Sequence, residues 1–214
     1  EGLEWSDAVE QRAQYQRPRS NSDSEQLSSQ PPFRLFCFTC SNIAILLYLS
    51  RKYNTPDHWY PSDLKKRAKV DEYLSWHQSL CSKTVLHTQV LIPLFTGQPL
   101  PPEKLQEVME GLATSLKQLE ELFLQDKPFL VGNEVSLADL VAIVELMQPV
   151  GVGCDIFKDR PKLAEWHSRV EEAIGKELFL QAHELILNIR QLSTIQIDPQ
   201  LKEQLGPMLL KMLK

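Results

Sequence analysis

Cysteine is scarce in this sequence, and long apolar runs are absent. The 214 residues include four cysteines, at positions 37, 40, 81 and 154, whose spacing fits neither a disulfide framework nor a structural zinc site. A reducing, cytoplasmic setting is therefore expected. No stretch reaches the roughly 18–20 apolar residues that span a bilayer, so no membrane span is predicted. The polar, acidic start from Glu1 to Trp5 lacks the pattern of a secretory signal.

Clustered positive charge is also missing. The net charge of −5 argues against a nucleic-acid partner. A Gly-rich phosphate loop, a G-x-S-x-G nucleophile motif and an H-E-x-x-H metal motif are all absent. The histidines, at positions 58, 77, 87, 167 and 183, have no metal-ligand spacing, so we interpret each as a surface or interface residue. Local motifs alone therefore predict no metal, no cofactor and no particular reaction.

The chain begins with a segment unlike the rest. Residues 1–32 are polar and punctuated by serine and proline, so they cannot bury enough apolar surface to offset their ordering entropy, and we predict disorder. Residues 33–55 are predicted to form a short strand, Phe33 to Phe38, and a helix that Ser41 or Asn42 caps. The run 54–57, Asn-Thr-Pro-Asp, should end that helix. Residues 56–61 are then predicted to be a linker.

Residues 62–214 have helical periodicity throughout. The predicted helices run from Ser62 towards Leu80, from Pro102 to Leu124, from Ser136 to Pro149, from Pro161 to Gly175, from Glu177 to Ile189, and from Asp198 to Leu213 with an interruption at Pro207. The predicted fold class is therefore mainly α, with an all-helical domain preceded by a short strand–helix piece.

The helix after Ser136 carries two start signals. Ser136 and Asp139 have the spacing of a capping box, in which the two side chains satisfy backbone N–H groups of the first turn. Val135 and Leu140 are placed to form a hydrophobic staple. The following residues, 141–147, are apolar on nearly every side, so we expect this helix to be central and buried.

Two patterns have chemical as well as structural interpretations. Cys37 and Cys40 form a C-x-x-C at the predicted strand–helix junction, where a redox pair is one interpretation and chance spacing is the one that we favour. Trp76 and Trp166 lie at helical spacing among apolar residues, which favours core packing.

Several longer segments together carry a family resemblance. They are Ala44–Tyr53, Asp57–Pro61, Val70–Leu74, Ser136–Val141, Glu145–Val150, Arg160–Ala164 and Gln181–Glu184. Through them the sequence from Ser41 onward, about four-fifths of the chain, resembles the theta class of the cytosolic glutathione transferases.

The resemblance implies a two-domain protein: a thioredoxin-like α/β domain that binds glutathione, followed by an all-helical domain. It also implies conjugation of glutathione, as co-substrate, to a small apolar electrophile, with no other cofactor. Members of the family are usually cytosolic homodimers.

The sequence departs from this family at the glutathione site. The resemblance implies a catalytic serine near the N-terminus, but residues 1–40 do not match that region, and Ser6 is not assigned the role. The family places Glu-Ser at the start of a helix to bind the γ-glutamyl group, and Ser41 and Asn42 stand at those positions. We therefore expect a largely missing or replaced N-terminal domain and impaired or absent catalysis. The alternatives are a non-enzymatic helical binding domain and a truncated gene product.

Overall fold

A computed structural model describes residues 38–80, 85–192 and 198–211, and no β-strand occurs in this part of the chain. Its α-helices are α1 (Phe38–Lys52), α2 (Leu64–Trp76), α3 (Ile92–Thr96), α4 (Pro102–Gln118), α5 (Leu137–Gly151), α6 (Pro161–Ile174), α7 (Lys176–Leu187), α8 (Ile189–Leu192) and α9 (Pro199–Lys211). A 3₁₀ turn, His77–Ser79, follows α2, and π-helical turns precede α3 (His87–Leu91) and follow α4 (Leu119–Leu124). The predicted mainly α fold is confirmed.

The chain divides between Thr55 and Pro56 into two units, each with its own internal contacts. In the first unit, α1 ends in a turn where Asn54 has a φ of 45°. The backbone N–H and the hydroxyl of Thr55 both donate to the carbonyl of Ser50, at 3.1 and 3.3 Å. A residue before proline avoids the helical region, so Thr55 cannot continue α1. The finer division into residues 1–32, 33–55, 56–61 and 62–214 stays a prediction.

The start of α1 differs from the prediction. The helix begins at Phe38, so Ser41 and Asn42 lie inside it and do not cap it, and Phe38 is helical and not part of a strand. Residues 38–40 contain neither proline nor glycine, so no strong helix breaker prevents the helix from starting before Ser41. Residues 33–37 of the predicted strand, and the predicted disordered segment 1–32, lie outside the described residues.

The second unit begins with the predicted linker, residues 56–61, which is bound to α2. The hydroxyl of Tyr60 donates to Asp71 at 3.0 Å, and Nε of Arg67 donates to the carbonyl of Pro61 at 2.7 Å. The Arg67 guanidinium also lies 5.1 Å from the centre of the Tyr60 ring. This segment is therefore an integral part of the helical unit.

Helix α2 starts as predicted and ends early. Asp63 is its N-cap, and Oδ1 accepts the N–H of Lys66 at 2.9 Å. The predicted extension towards Leu80 is wrong, because the helix ends at Trp76 and the backbone tightens into a 3₁₀ turn. The N–H of Leu80 then bonds to the carbonyl of His77, three residues earlier, at 3.0 Å. Apolar spacing alone does not report this change of hydrogen-bonding pattern.

Helix α5 lies at the centre of the helical unit, where it packs against α2, α6 and α7. Ala138, Ala142, Ile143 and Leu146 are fully buried, and Met147 is 4% exposed. Burying a side chain the size of leucine contributes about 1.5–3 kcal/mol, so this helix supplies a large part of the apolar stabilisation. The prediction that it is central and buried is confirmed.

Two helices continue through a proline that was predicted to stop or interrupt them. Helix α5 includes Pro149 and reaches Gly151, and α9 includes Pro207 and reaches Lys211. A proline removes one N–H and crowds the carbonyl four residues earlier, but it leaves the following residues free to stay helical. Pro149 stands two residues from the end of α5, so the turn that it crowds is the one from Glu145 to Pro149, and only two helical residues follow it.

Candidate functional site

The predicted glutathione contacts occupy the fourth and fifth positions of α1. The side chains of Ser41 and Asn42 lie outside what the structure describes, so their assignment to glutathione stays a prediction. The first turn of α1 contains no acidic residue that could replace the missing carboxylate. Cys40 belongs to the same helix, whereas Cys37 lies outside the described residues, so the C-x-x-C pair also stays a prediction.

The best-defined polar site is the start of α5, where Asp139 accepts four hydrogen bonds. Its Oδ2 accepts the backbone N–H and the hydroxyl of Ser136, at 3.0 and 2.9 Å. Its Oδ1 accepts the backbone N–H of Leu130 at 2.8 Å and the indole Nε1–H of Trp166 at 2.9 Å. Ser136 has an extended backbone, and the reciprocal capping arrangement is present. The structure thus places Ser136 and Asp139 in the positions that a capping box requires.

The contact with Trp166 could not be inferred from the sequence. Trp166 is fully buried, as its apolar spacing suggests, but a buried indole N–H also needs an acceptor. Burial raises the pKa of the Asp139 carboxyl, and the hydrogen bonds from Leu130, Trp166 and Ser136 oppose that shift. Asp139 is fully buried, so no ligand reaches it and its role is structural.

The linker also contacts the start of α5. Nδ1 of His58 donates to the carbonyl of Val135 at 2.6 Å, because a carbonyl can only accept. The carbonyl of Trp59 accepts the N–H of Leu137, the first residue of α5, at 2.9 Å. One of the N–H groups that the first helical turn leaves unpaired is thereby satisfied by a distant segment. A capping motif does not predict this partner, because Trp59 lies far from Leu137 along the chain.

A second buried polar cluster lies between α2 and α5. Tyr73, His77 and Glu145 are 0, 2 and 4% exposed, and Nε2 of His77 lies 3.9 Å from Oε1 of Glu145. Nδ1 of His77 donates to the carbonyl of Leu74. The Tyr73 hydroxyl has no hydrogen-bond partner among the described residues, and burial, with the charges of Glu145 and Asp139, raises its pKa well above the ordinary value. The surface or interface role predicted for His77 is therefore wrong.

His183 contradicts the same prediction. It is 4% exposed, and its Nδ1 donates to the carbonyl of Phe179 at 2.7 Å. His183 and His77 each bond to a carbonyl of the preceding helical turn, which masks part of their polarity and permits burial. Across the described residues, no three metal-ligating side chains come together. No helix in this part of the chain is long and apolar enough to cross a membrane.

A surface cleft of about 650 Å³ opens beside the N-terminus of α6. Its lining is Glu120, Glu121, Gln125, Asp126, Pro161 and Lys162. Nζ of Lys162 donates to Asp126 at 2.7 Å, so the basic group at this cleft already has a carboxylate partner. This ion pair raises the pKa of Lys162 and lowers the pKa of Asp126. The arrangement resembles a solvated surface pair more than a binding site.

Comparisons with known proteins connect this helical unit to one family. Residues 84–173 match the family model described as Glutathione S-transferase, C-terminal domain. Glutathione S-transferase theta-1 of Gallus gallus is 68% identical over 210 aligned residues, which cover 93% of this chain and 80% of that protein. The chain belongs to the theta class of the glutathione transferases.

Solved structures of this class have the same fold. Human glutathione-S-transferase T1-1, in its apo form, matches with a TM-score of 0.74 and 48% identity over 80% of this chain and 72% of that chain. Human glutathione transferase theta-2, solved with glutathione and an unknown ligand, matches with a TM-score of 0.74 and 44% identity over the same shares. The predicted glutathione-transferase fold of this theta-class chain is therefore confirmed.

The alignment with the chicken protein also extends the resemblance. Residues 41–214 make up a smaller share of this theta-class chain than the 93% that is aligned, so part of the segment before Ser41 is aligned as well. The expectation that the resemblance begins near Ser41 is too narrow for this relative.

Proposed function

We propose that this theta-class chain belongs to a cytoplasmic, homodimeric enzyme of detoxification that conjugates glutathione to small apolar electrophiles. The main support is the 68% identity to chicken glutathione S-transferase theta-1. The structure of human theta-2 contains glutathione, which supports the same co-substrate here. The helical unit, with its buried α5 and its capping site, supplies the body on which the electrophile side of such a site is built.

We further propose that the chain from Glu1 to Lys214 conjugates glutathione weakly or not at all. Ser41 and Asn42 stand where the family has Glu-Ser, and the first turn of α1 offers no carboxylate. A hydrogen bond to a charged group contributes about 1.5–3 kcal/mol, so its loss weakens binding roughly ten- to hundredfold.

Glutathione binding by calorimetry tests the proposed co-substrate, and conjugation of a chromogenic electrophile tests the proposed impairment. The unaltered chain should show no turnover above the uncatalysed rate, and Ser41→Glu/Asn42→Ser should bind glutathione at least about tenfold more tightly. Ser75→Glu adds the same carboxylate at an exposed position of α2 and should change nothing. Clear turnover by the unaltered chain would overturn the impairment. Equal binding by the double variant would remove Ser41 and Asn42 from the site.

A non-enzymatic role, as a helical unit that binds an apolar ligand or partner, is the second candidate. Leu178, Leu180 and Leu185 on α7 are 58, 55 and 74% exposed, and they offer apolar surface to a ligand or partner. Light scattering should then show association that rises with concentration, and a clean monomer would contradict it. The mass and N-terminal sequence of the natural protein would identify a truncated gene product.

A further inference from the structure

Four aromatic rings form a continuous stack between α6, α7 and the loop before α6. The centre of the Phe157 ring lies 4.9 Å from that of His167 on α6, in an edge-to-face contact. His167 makes a second edge-to-face contact with Phe179 on α7, at 5.4 Å. Phe179 is in turn 4.3 Å from His183 on the same helix. The stack therefore alternates phenyl and imidazole rings across the contact between two helices.

His183 is the buried end of this stack. Its Nδ1 carries a hydrogen, because this atom lies 2.7 Å from the carbonyl of Phe179. Its Nε2 is buried and has no hydrogen-bond partner within the described part of the chain. A proton added at Nε2 would create a buried cation whose new N–H finds no acceptor there. An unpaired buried donor is costly, so a proton at this atom would disturb the packing around His183.

His167 is the half-buried middle of the stack, and its environment also favours the neutral ring. Burial lowers the pKa of the His167 imidazole, and a positive charge on His183 lowers it further. Glu171, one turn along α6, acts in the opposite direction and raises it. The two imidazoles are thus coupled, because a proton on one disfavours a proton on the other.

Other charged groups on these helices and on the elements around them have partners outside the stack. Lys162 pairs with Asp126, Arg169 pairs with Glu165, and Arg190 of α8 donates to the carbonyl of Val152. Helix α5 packs against both α6 and α7, but its buried Asp139 is bonded to Trp166. Its Glu145 lies beside His77, on the side of α2. The charged side chains of α7 itself, at positions 176, 177 and 184, are exposed to solvent. In the loop, Asp155 accepts the N–H of Lys158.

We propose that this stack is a proton-sensitive joint that holds α7 against α6 while both imidazoles are neutral and loosens when either is protonated. The folded chain then binds a proton at His167 less readily than the unfolded chain does. The stabilisation is complete above the ordinary histidine range and is lost as the pH falls through it. Because α7 also packs against α5, loosening this joint weakens the packing of α7 on the central helix as well.

Urea unfolding at pH 7.5 and pH 5.5 tests the joint. His167→Phe/His183→Phe keeps two aromatic rings and removes both titrating groups. Between the two pH values, the folding equilibrium constant of the unaltered chain should fall about tenfold more than that of this double variant. His58→Gln removes a histidine outside the stack and should leave the pH dependence as it is. Equal losses in the unaltered chain and the double variant would overturn the proposal.

Hydrogen exchange supplies a second readout that needs no variant. After correction for intrinsic rates, amide protection of α7 should fall more than that of α4 when the pH is lowered from 7.5 to 5.5. The His167 imidazole should titrate, by NMR, over the pH range in which the protection of α7 falls. Uniform changes in both helices, or none, would show that these rings do not form a joint, even if the double variant fails to fold.

Discussion

Replacement of Asp139 with alanine leaves four buried donors without their acceptor. They are the backbone N–H groups of Leu130 and Ser136, the hydroxyl of Ser136 and the indole N–H of Trp166. Each stranded donor costs about 1–3 kcal/mol, and removal of a buried carboxylate together with local relaxation offsets part of the sum. We expect a loss of about 4 kcal/mol, which is a large share of the roughly 5–15 kcal/mol that stabilises a folded protein.

Asp63→Ala is the matched control, because Asp63 also stands at a helix N-terminus. It is exposed and accepts a single hydrogen bond, from Lys66 at 2.9 Å, so its loss should cost about 1 kcal/mol. Urea unfolding followed by far-UV circular dichroism and by tryptophan fluorescence measures both variants. If Asp139→Ala lost no more than Asp63→Ala, the contacts to Leu130 and Trp166 would not matter as argued.

Three further predictions follow from the same unit. Gly151→Ala should cost about 3 kcal/mol in urea unfolding, because the added Cβ would lie 2.2 Å from the Ile186 carbonyl oxygen. Gly132→Ala, with no described atom within 4 Å of its added Cβ, should change the free energy of unfolding by no more than about 0.5 kcal/mol. Similar losses in the two variants would refute this. Trp166→Phe should cost less in the Asp139→Ala background than alone, by at least about 1 kcal/mol in a double-mutant cycle, and additivity would contradict it. Burial raises the pKa of the Asp139 carboxyl in the folded chain. The free energy of unfolding that Asp139 contributes, relative to Asp139→Asn, should therefore be largest near pH 4 and fall as the pH rises. An equal free energy difference between the two proteins from pH 4 to 7 would be inconsistent with this.

The helix boundaries that follow from local chemistry were predictable from the sequence. Pro102 and Pro161 stand at first-turn positions and begin α4 and α6. Gly175 follows α6 with a φ of 94°, which few other residues tolerate. The capping pair Ser136 and Asp139 acts over three residues, so it is visible in a short window. The family resemblance likewise depends on short segments that occur in the same order along the chain.

The wrong boundaries share a different cause. Helix α1 starts at Phe38 and α2 ends at Trp76 without a strong breaker at either position. Pro149 and Pro207 do not end their helices, because a proline disturbs the turn before it more than the turn after it. Where no residue forces an end, the packing of the surrounding helices decides it.

The partners of the buried polar groups were outside the reach of any sequence pattern. Trp166 meets Asp139 across 27 residues, and His58 meets Val135 across 77. His77 and His183 look like surface residues because histidine is polar, yet both are buried after bonding to their own helices. These contacts exist only after the chain has folded, and no local spacing encodes them.

The order of residues by itself determined that this chain is helical, that its central helix is capped by Ser136 and is buried, and that it belongs with the theta-class transferases. Those properties depend on backbone propensity, capping and apolar periodicity, which act within a few residues. The tertiary structure alone decided which acceptor serves Trp166, which segment covers the N-terminus of α5, and which histidines lose contact with water. Burial and long-range hydrogen bonds depend on how the helices pack, and that packing is a property of the whole helical unit.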